Sequence, residues 1–308
     1  MKKIILAGGT GNLGRLLTDS FLSAGYHVIV LTRQHIVSKK TQLTYVQWDG
    51  ETLGDWCDYL EGGDVLINMC GESINTRFTE NNRVKLKNSR YLPTLILGAA
   101  LEKLTIAPSA WINFSGISIF EGAQELQDEG SLYQGESFLS QLVVEWERLF
   151  WERNLKNVRR VVLRLSPVLD ETSGMFAELY SLAKKGLGGQ VGDGKQYISW
   201  IHKHDLLRLV SFIIDNPTTN SVFHACSPHP VRNKEFMKVL RKQVGCKLGL
   251  PLPSFLAKIG AYIKGVDASL LLETNSVTTK TTVDAGFSFK YPHLDLALKQ
   301  LILAVNKA

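Results

Sequence analysis

The chain has 308 residues, 44% hydrophobic and 21% charged, with a formal net charge of +6 and a pI near 9.0. This is the composition of an ordinary globular protein, long enough for one large α/β domain or two smaller ones. No apolar run approaches the roughly 18 residues a membrane span needs. The N-terminal apolar run is too short for a signal peptide, so the expected setting is the cytoplasm, with no membrane partner.

The first predicted element is a strand at Lys3–Ala7, followed by Gly8-Gly9-Thr10-Gly11-Asn12-Leu13-Gly14 and a helix over Asn12–Ala24. Strand, glycine turn and helix in that order make a dinucleotide-binding signature. Glycine lets the chain turn sharply and lets a pyrophosphate approach the main chain, and the helix N-terminus offers N–H groups to the anion. The spacing is G-x-x-G-x-x-G, one residue longer in its first gap than the usual fingerprint. Gly8, Thr10, Gly11, Asn12, Leu13 and Gly14 are therefore candidate cofactor residues.

A second strand, His27–Thr32, ends in Thr32-Arg33, with no carboxylate between His27 and Thr44. NAD-preferring proteins place an acidic residue in this region, whereas an arginine suits a 2′-phosphate by charge and fork geometry. Arg33 thus favours NADP; the alternative is a solvated surface arginine. A weaker strand at Thr44–Trp48 precedes Asp49, which either accepts a bond from an adenine amino group or is an ordinary turn aspartate.

Further strands are expected at Val65–Met69, Trp111–Ser115 and Val161–Leu165, and helices at Thr79–Lys103, Glu136–Arg153, Gly174–Lys185 and Lys203–Asp215. Pro93 is expected to bend or restart the first of these helices. Short apolar strands alternating with helices imply a Rossmann-type α/β fold, a doubly wound parallel sheet. After about residue 170 the β-α beat is lost. There follow the glycine-rich stretch Gly186–Gly194, a short element at Val222–Cys226, and helices at Asn233–Val244, Ser254–Lys264, Ala268–Thr274 and Leu294–Val305. The expected division is a nucleotide-binding domain over residues 1–170, rejoined by part of 195–225, and a smaller, mixed substrate-side region over 171–308.

The net positive charge suits an anionic ligand, and equally a basic surface without a role. No nucleic-acid motif stands out. The cysteines Cys57, Cys70, Cys226 and Cys246 form no C-x-x-C pair and read as reduced thiols, not a metal site or a disulfide framework.

Several longer segments carry a family resemblance. They are the glycine turn, Asn68-Met69-Cys70-Gly71-Glu72-Ser73-Ile74, Ser89-Arg90, Trp146-Glu147, Leu187-Gly188-Gly189, Ser199 to Leu206 (SWIHKHDL) and Ala285 to Pro292 (AGFSFKYP). On these the chain resembles an extended short-chain dehydrogenase/reductase. It is most similar to the atypical "epimerase family protein" subgroup, NAD-dependent epimerase/dehydratase-like with a C-terminal domain of unknown function. The resemblance implies that Asn68, Cys70 and Gly71 form the turn lining the cofactor ribose. It further implies that Glu72 and Arg77 border the pocket, that Ser115 is a catalytic hydroxyl, and that Leu165, Ser166, Pro167 and Val168 lie beside the nicotinamide.

The departure from the superfamily concerns the reaction. Working members carry Tyr-x-x-x-Lys on the helix after the fifth strand, where the tyrosine moves the proton and the lysine lowers its pKa. Here Tyr133 stands just before that helix and Ser137 occupies the lysine place, while Ile119 and Phe120 stand where the subgroup usually has aromatic residues, so a substitute tyrosine hydroxyl is also missing. Proton-transfer candidates are then Ser115, Glu72, Tyr133, a water or the substrate itself. His202 and Asp205 are read as docking and helix-opening residues. Two functions follow: an NADP-dependent epimerase/dehydratase-like oxidoreductase acting on a small carbonyl or sugar-like substrate, or a catalytically silent NADP-binding sensor or partner-binding protein. Homodimers through the two long helices are a further expectation.

Overall fold

The computed structural model describes residues 1–217 and 221–307. In chain order its first half contains β1 (Lys3–Ala7), α1 (Asn12–Ser23), β2 (His27–Thr32), β3 (Leu43–Gln47), β4 (Val65–Asn68), α2 (Glu80–Leu101), β5 (Ala110–Gly116), α3 (Phe138–Glu152) and β6 (Arg159–Leu165). The second half adds β7 (Val168–Leu169), α4 (Gly174–Lys184), β8 (Tyr197–Ile198), β9 (Ile201–His202), α5 (Lys203–Asp215), β10 (Ser221–Ala225), β11 (Val231–Arg232) and α6 (Asn233–Val244). It closes with α7 (Ser254–Lys264), α8 (Ser269–Leu272), α9 (Thr281–Asp284) and α10 (Leu294–Val305).

Among the described residues the main sheet has seven strands in the order β10-β6-β5-β4-β1-β2-β3, and every pairing in it is parallel. Its strands are short and rich in Val, Ile and Leu because both faces are covered. One face packs Ile4, Leu6, Val28 and Val30 against Leu17 and Phe21 of α1 and Leu206, Leu209 and Ile213 of α5. The other packs Ile5, Ile29 and Leu66 against Leu97 and Leu101 of α2 and Phe150 of α3. The chain order reverses between β1 and β4, so the crevice at their carboxyl ends is where a ligand is expected. The short element near Val222 is β10, which returns to the sheet beside β6 with Phe223 opposite Leu163. A separate core joins α4, α6 and α10 through Phe176, Phe236, Leu240, Leu298 and Leu301.

Pro93 does not restart its helix: α2 runs unbroken through it, capped at its start by Thr79, whose hydroxyl accepts from the Asn82 N–H at 3.4 Å. Tertiary contacts outweigh the lost backbone bond. The neighbouring Thr94 is buried, bonds back to the Arg90 carbonyl at 2.8 Å, and accepts from Trp146 Nε1 at 2.8 Å. The helix expected at Ala268–Thr274 is shortened to one turn, α8. The glycine-rich stretch after α4 is a packing seam: Gly192 N–H donates to the Leu252 carbonyl and Leu252 N–H to that of Gln190, both at 2.8 Å. A Cβ on Gly189 would fall 2.1 Å from the Leu250 carbonyl oxygen.

Candidate functional site

The glycine turn folds as its sequence demands. Gly8 adopts φ +80°, and a Cβ there would meet the main chain of Met69 and Cys70 at 3.0 Å. A Cβ on Gly14 would lie 2.5 Å from Gly9, which lets α1 close down on the turn. The first turn of α1 has Gly11 as its cap, with no side-chain capping bond and no acidic residue. Asn12, Leu13 and Gly14 therefore present a helix N-terminus suited to an anion.

Beside this turn lies a cavity of about 790 Å³. Its wall includes Gly8, Thr10 and Gly11 from the turn, Thr32, Arg33 and Asp49 from the ends of β2 and β3, and Cys70, Gly71 and Glu72 from the loop after β4. Leu92 and Pro93 of α2 close the far side. Residues dispersed over the first third of the sequence are thus brought to one crevice at the strand ends.

Each member has a defined position. Arg33 reaches across the mouth to Glu72, Nη2 to Oε1 at 3.2 Å, with both side chains more than half exposed. Glu72 is therefore an ion-pair partner in this structure. Thr32 is buried and its hydroxyl accepts from the Gln34 N–H at 3.2 Å. Asp49 accepts from the N–H groups of Glu51 and Thr52 and from the Thr52 hydroxyl, which together hold its carboxyl down at about 2. That is the arrangement of a turn aspartate. Cys70 is a protonated thiol, pushed up to about 12 by burial and eased down by Arg33.

Asn68 is fully buried and supports the site without facing it. Its amide donates to Asn113 at 2.7 Å and Thr94 at 3.0 Å, and its carbonyl accepts from the Cys70 N–H at 3.1 Å. It shapes the turn through the backbone. Arg90, which sequence reasoning did not single out individually, braces the same loop by donating to the Glu72 carbonyl at 3.0 Å and stacking 5.6 Å from Trp146.

The residues expected at the reacting end lie away from this wall. Ser115 is buried, and its hydroxyl donates to Glu147 Oε1 at 2.6 Å. Glu147 is gripped by Arg164 through bonds of 2.9 and 2.8 Å, in a pair whose side chains are about nine-tenths buried. The Ser115 hydroxyl is thus committed to a structural ion pair, at odds with a free catalytic hydroxyl. Leu165 ends β6 and Pro167 and Val168 follow it, all outside the cavity wall, and the Pro167 carbonyl accepts from Ile201 N–H. Tyr133 is 41% exposed, with its hydroxyl 3.5 Å from the Glu121 carbonyl.

One group escaped sequence reasoning. Glu121 ends the single-turn 3-10 helix after β5 and is buried; the Ser137 hydroxyl, at the lysine place, donates to its carboxyl at 2.5 Å. Burial raises the Glu121 pKa, the Ser137 bond lowers it, and the net shift is upward. Its position next to Phe120, where an aromatic residue is usual, was the available signal.

Further out, Glu129 forms a second, half-buried node. It accepts from the N–H of His224 at 3.1 Å, of Lys280 at 2.7 Å and of Thr281 at 3.0 Å, and from the hydroxyls of Thr279 and Thr282. Burial works against its charge, but His224 and these N–H groups outweigh it and hold the pKa below the ordinary value. The two long family-like segments meet each other away from the cavity. Asp205 accepts from the N–H groups of Lys290 and Tyr291, both at 2.8 Å, and His202 lies 4.0 Å from the Tyr291 ring. His202 is a buried cap that accepts from His204 N–H at 3.1 Å and pairs with Gln300 at 2.8 Å. Among the described residues no group of His, Cys, Asp and Glu could hold a metal ion.

The comparisons with known proteins agree with this architecture. "Epimerase family protein YfhF" of Bacillus subtilis (strain 168) is 30% identical over 301 residues, covering 97% of each chain. "Epimerase family protein SH2119" of Staphylococcus haemolyticus (strain JCSC1435) is 28% identical, covering 98% of this chain and 99% of its own. Among solved structures, the human epimerase family protein SDR39U1 (isoform2) with NADPH superposes with a TM-score of 0.83 at 26% identity, over 97% of this chain and 98% of the other. MoeE5 in complex with UDP-glucuronic acid and NAD shares the fold, with a TM-score of 0.79 at 17% identity over 99% of this chain and all of the other. The family model described as "NAD dependent epimerase/dehydratase family" matches residues 4–226, and the chain belongs to that family.

Proposed function

We propose that the chain binds NADP(H) in the cavity beside the glycine turn and acts as an epimerase/dehydratase-like oxidoreductase on a small polar carbonyl or sugar-like substrate. The observation that carries this reading is the 790 Å³ crevice, with an uncapped helix N-terminus on one side and Arg33 on its rim. The residues suit the cofactor: backbone N–H groups face where a pyrophosphate would pass, and Gly8 lets the turn sit against the Met69–Cys70 main chain beside it. Arg33, released from Glu72, matches a 2′-phosphate. The human relative bound to NADPH lends support at 26% identity. When bound, the cofactor supplies hydride transfer at its nicotinamide. This chain's residues must then orient the substrate and hold the proton.

Fluorescence titration with NADPH and NADH tests the reading. NADPH should bind more tightly, and Arg33→Ser should cost NADPH at least about tenfold while changing NADH little. Equal binding of the two in the native chain overturns the NADP assignment.

A second reading, a catalytically silent NADP(H)-binding sensor, is favoured by the buried Ser115–Glu147 bond. Exchange of the nicotinamide hydrogen against carbonyl compounds and nucleotide sugars separates the two: tight cofactor binding with no exchange supports the sensor. A homodimer through α2 and α3 has less behind it. Their apolar residues Leu97, Leu142, Trp146 and Phe150 are buried within one chain, and Glu145, Arg148 and Glu152 form an ion-pair ladder on the outward face of α3. Cysteines that are all free accord with a reducing cytoplasm.

A further inference from the structure

The helix α7 is built with its apolar side outward. Only Ala257 and Ala261 are buried, and they anchor it to the protein. Phe255, Leu256, Ile259, Tyr262 and Ile263 are 43–78% exposed. At about 100° per residue, these five fall in an arc of roughly 120° centred opposite the two alanines. Lys258 flanks that arc on the Tyr262 side, and Lys264 lies beyond its other end. The approach to the helix continues the surface with Leu248 and Leu250, 72% and 64% exposed.

The charge is one-sided. Between Glu235 and Asp267 the sequence holds six lysines and arginines and no acidic residue. Glu178 of α4 supplies the one ion pair described for the helix, 3.2 Å from Lys264. The face is also held in place. Arg77 stacks 3.9 Å from the Tyr262 ring and donates to its carbonyl, while the glycine-rich seam fixes Leu252 at the other end.

An apolar helix face of this size turned from its own core marks an interaction site. Large apolar side chains with an aromatic ring, flanked by lysines, are the chemistry that inserts at a lipid interface and attracts anionic headgroups. A second copy suits the face less well, because a two-fold contact would bury Lys258 against an equally basic surface, with no acidic residue between Glu235 and Asp267 to pair it. We propose that α7 and the Leu248–Leu250 approach dock the protein on the surface of an anionic lipid bilayer. This departs from the expectation of no membrane partner, which rested on the lack of a spanning segment. Among the described residues no helix is long and apolar enough to cross a membrane, but a docked helix lies in the plane of the interface.

Co-sedimentation of the full chain with phosphatidylcholine vesicles, with and without phosphatidylglycerol, tests the proposal. The protein should pellet only with the anionic vesicles, and less as salt rises. Lys258→Gln should weaken pelleting about fivefold. Phe255→Glu with Ile263→Glu should weaken it at least tenfold, leaving the melting temperature and cofactor binding unchanged because both side chains point into solvent. Failure of the native chain to bind anionic vesicles overturns the proposal, as does binding that the double variant retains. Self-association in vesicle-free buffer that the double variant abolishes assigns the face to a second copy and overturns it equally.

Discussion

At the scale of single residues, the molecule separates groups that face the cavity from groups that hold it in shape. Asn68 and Ser115 both sit at strand ends where a ligand-facing role is natural, yet their side chains are spent on internal partners. Sequence could place them at the strand ends but could not show which way they point, because that is decided by partners far away in the chain, Asn113 for one and Glu147 for the other. The consequence is measurable. Ser115→Ala should lower stability by about 1–2 kcal/mol in chemical denaturation, with cofactor affinity unaltered. Glu147→Ala should cost more, about 3–5 kcal/mol, because it strands Arg164 as a buried charge. Glu121 gives a pH signature of the opposite kind. Its folded pKa is raised, so the native state binds more protons than the unfolded chain above the ordinary glutamate value, and stability declines as pH rises through that window. Glu121→Gln should therefore gain in melting temperature relative to the native chain on going from pH 4.5 to pH 8; a constant difference across that range would contradict the burial argument.

At the scale of elements, hydrophobic periodicity and glycine placement found the parallel strands and the long helices, since doubly buried strands and amphipathic helices write their environment into local sequence. What local sequence could not convey was tolerance. Pro93 reads as a break, and the helix absorbs it because Thr94 and Trp146 lock the turn from outside. The capping of α5 was partly legible: Asp205 was expected to assist the helix start, whereas its carboxylate accepts the main chain of Lys290 and Tyr291, more than eighty residues away. His202, which caps the same helix, has its pKa lowered to about 4, by burial first and against the opposing bond to Gln300. Its neutral form is the native one, so its contribution is intact above the ordinary histidine value of about 6.5 and is lost as pH falls toward 4. Replacing it with Gln should flatten the acid limb of the stability curve by up to about 3 kcal/mol between those limits, as read by urea titrations at stepped pH.

At the scale of the whole molecule, the chain's order and its spatial order part company after residue 170. The edge strand β10 pairs with β6 through five residues on each side, and Phe287 joins the same core as α1 and α5. A fragment ending at residue 170 should therefore fail to fold cooperatively, seen as loss of a sharp thermal transition, although it carries the whole glycine turn and the cavity wall. The parallel core was legible because each strand announces itself; the return was expected only as part of 195–225 rejoining the first domain, since nothing local marks which strand β10 will pair with. The direction of α7 was equally hidden, because the pattern of apolar residues identifies a face without saying whether protein lies against it.

The outer side of β10 has one more consequence. His224, the fourth residue of that strand, offers its N–H to Glu129 and its carbonyl to the hydroxyls of Thr279 and Thr282, so side chains occupy its place in the hydrogen-bonding row that another strand would use. Open sheet margins recruit strands from other chains and seed aggregates unless something blocks them. At His224 a glutamate and two threonines stand in for a further strand, so a chain adding to this margin would first have to displace them.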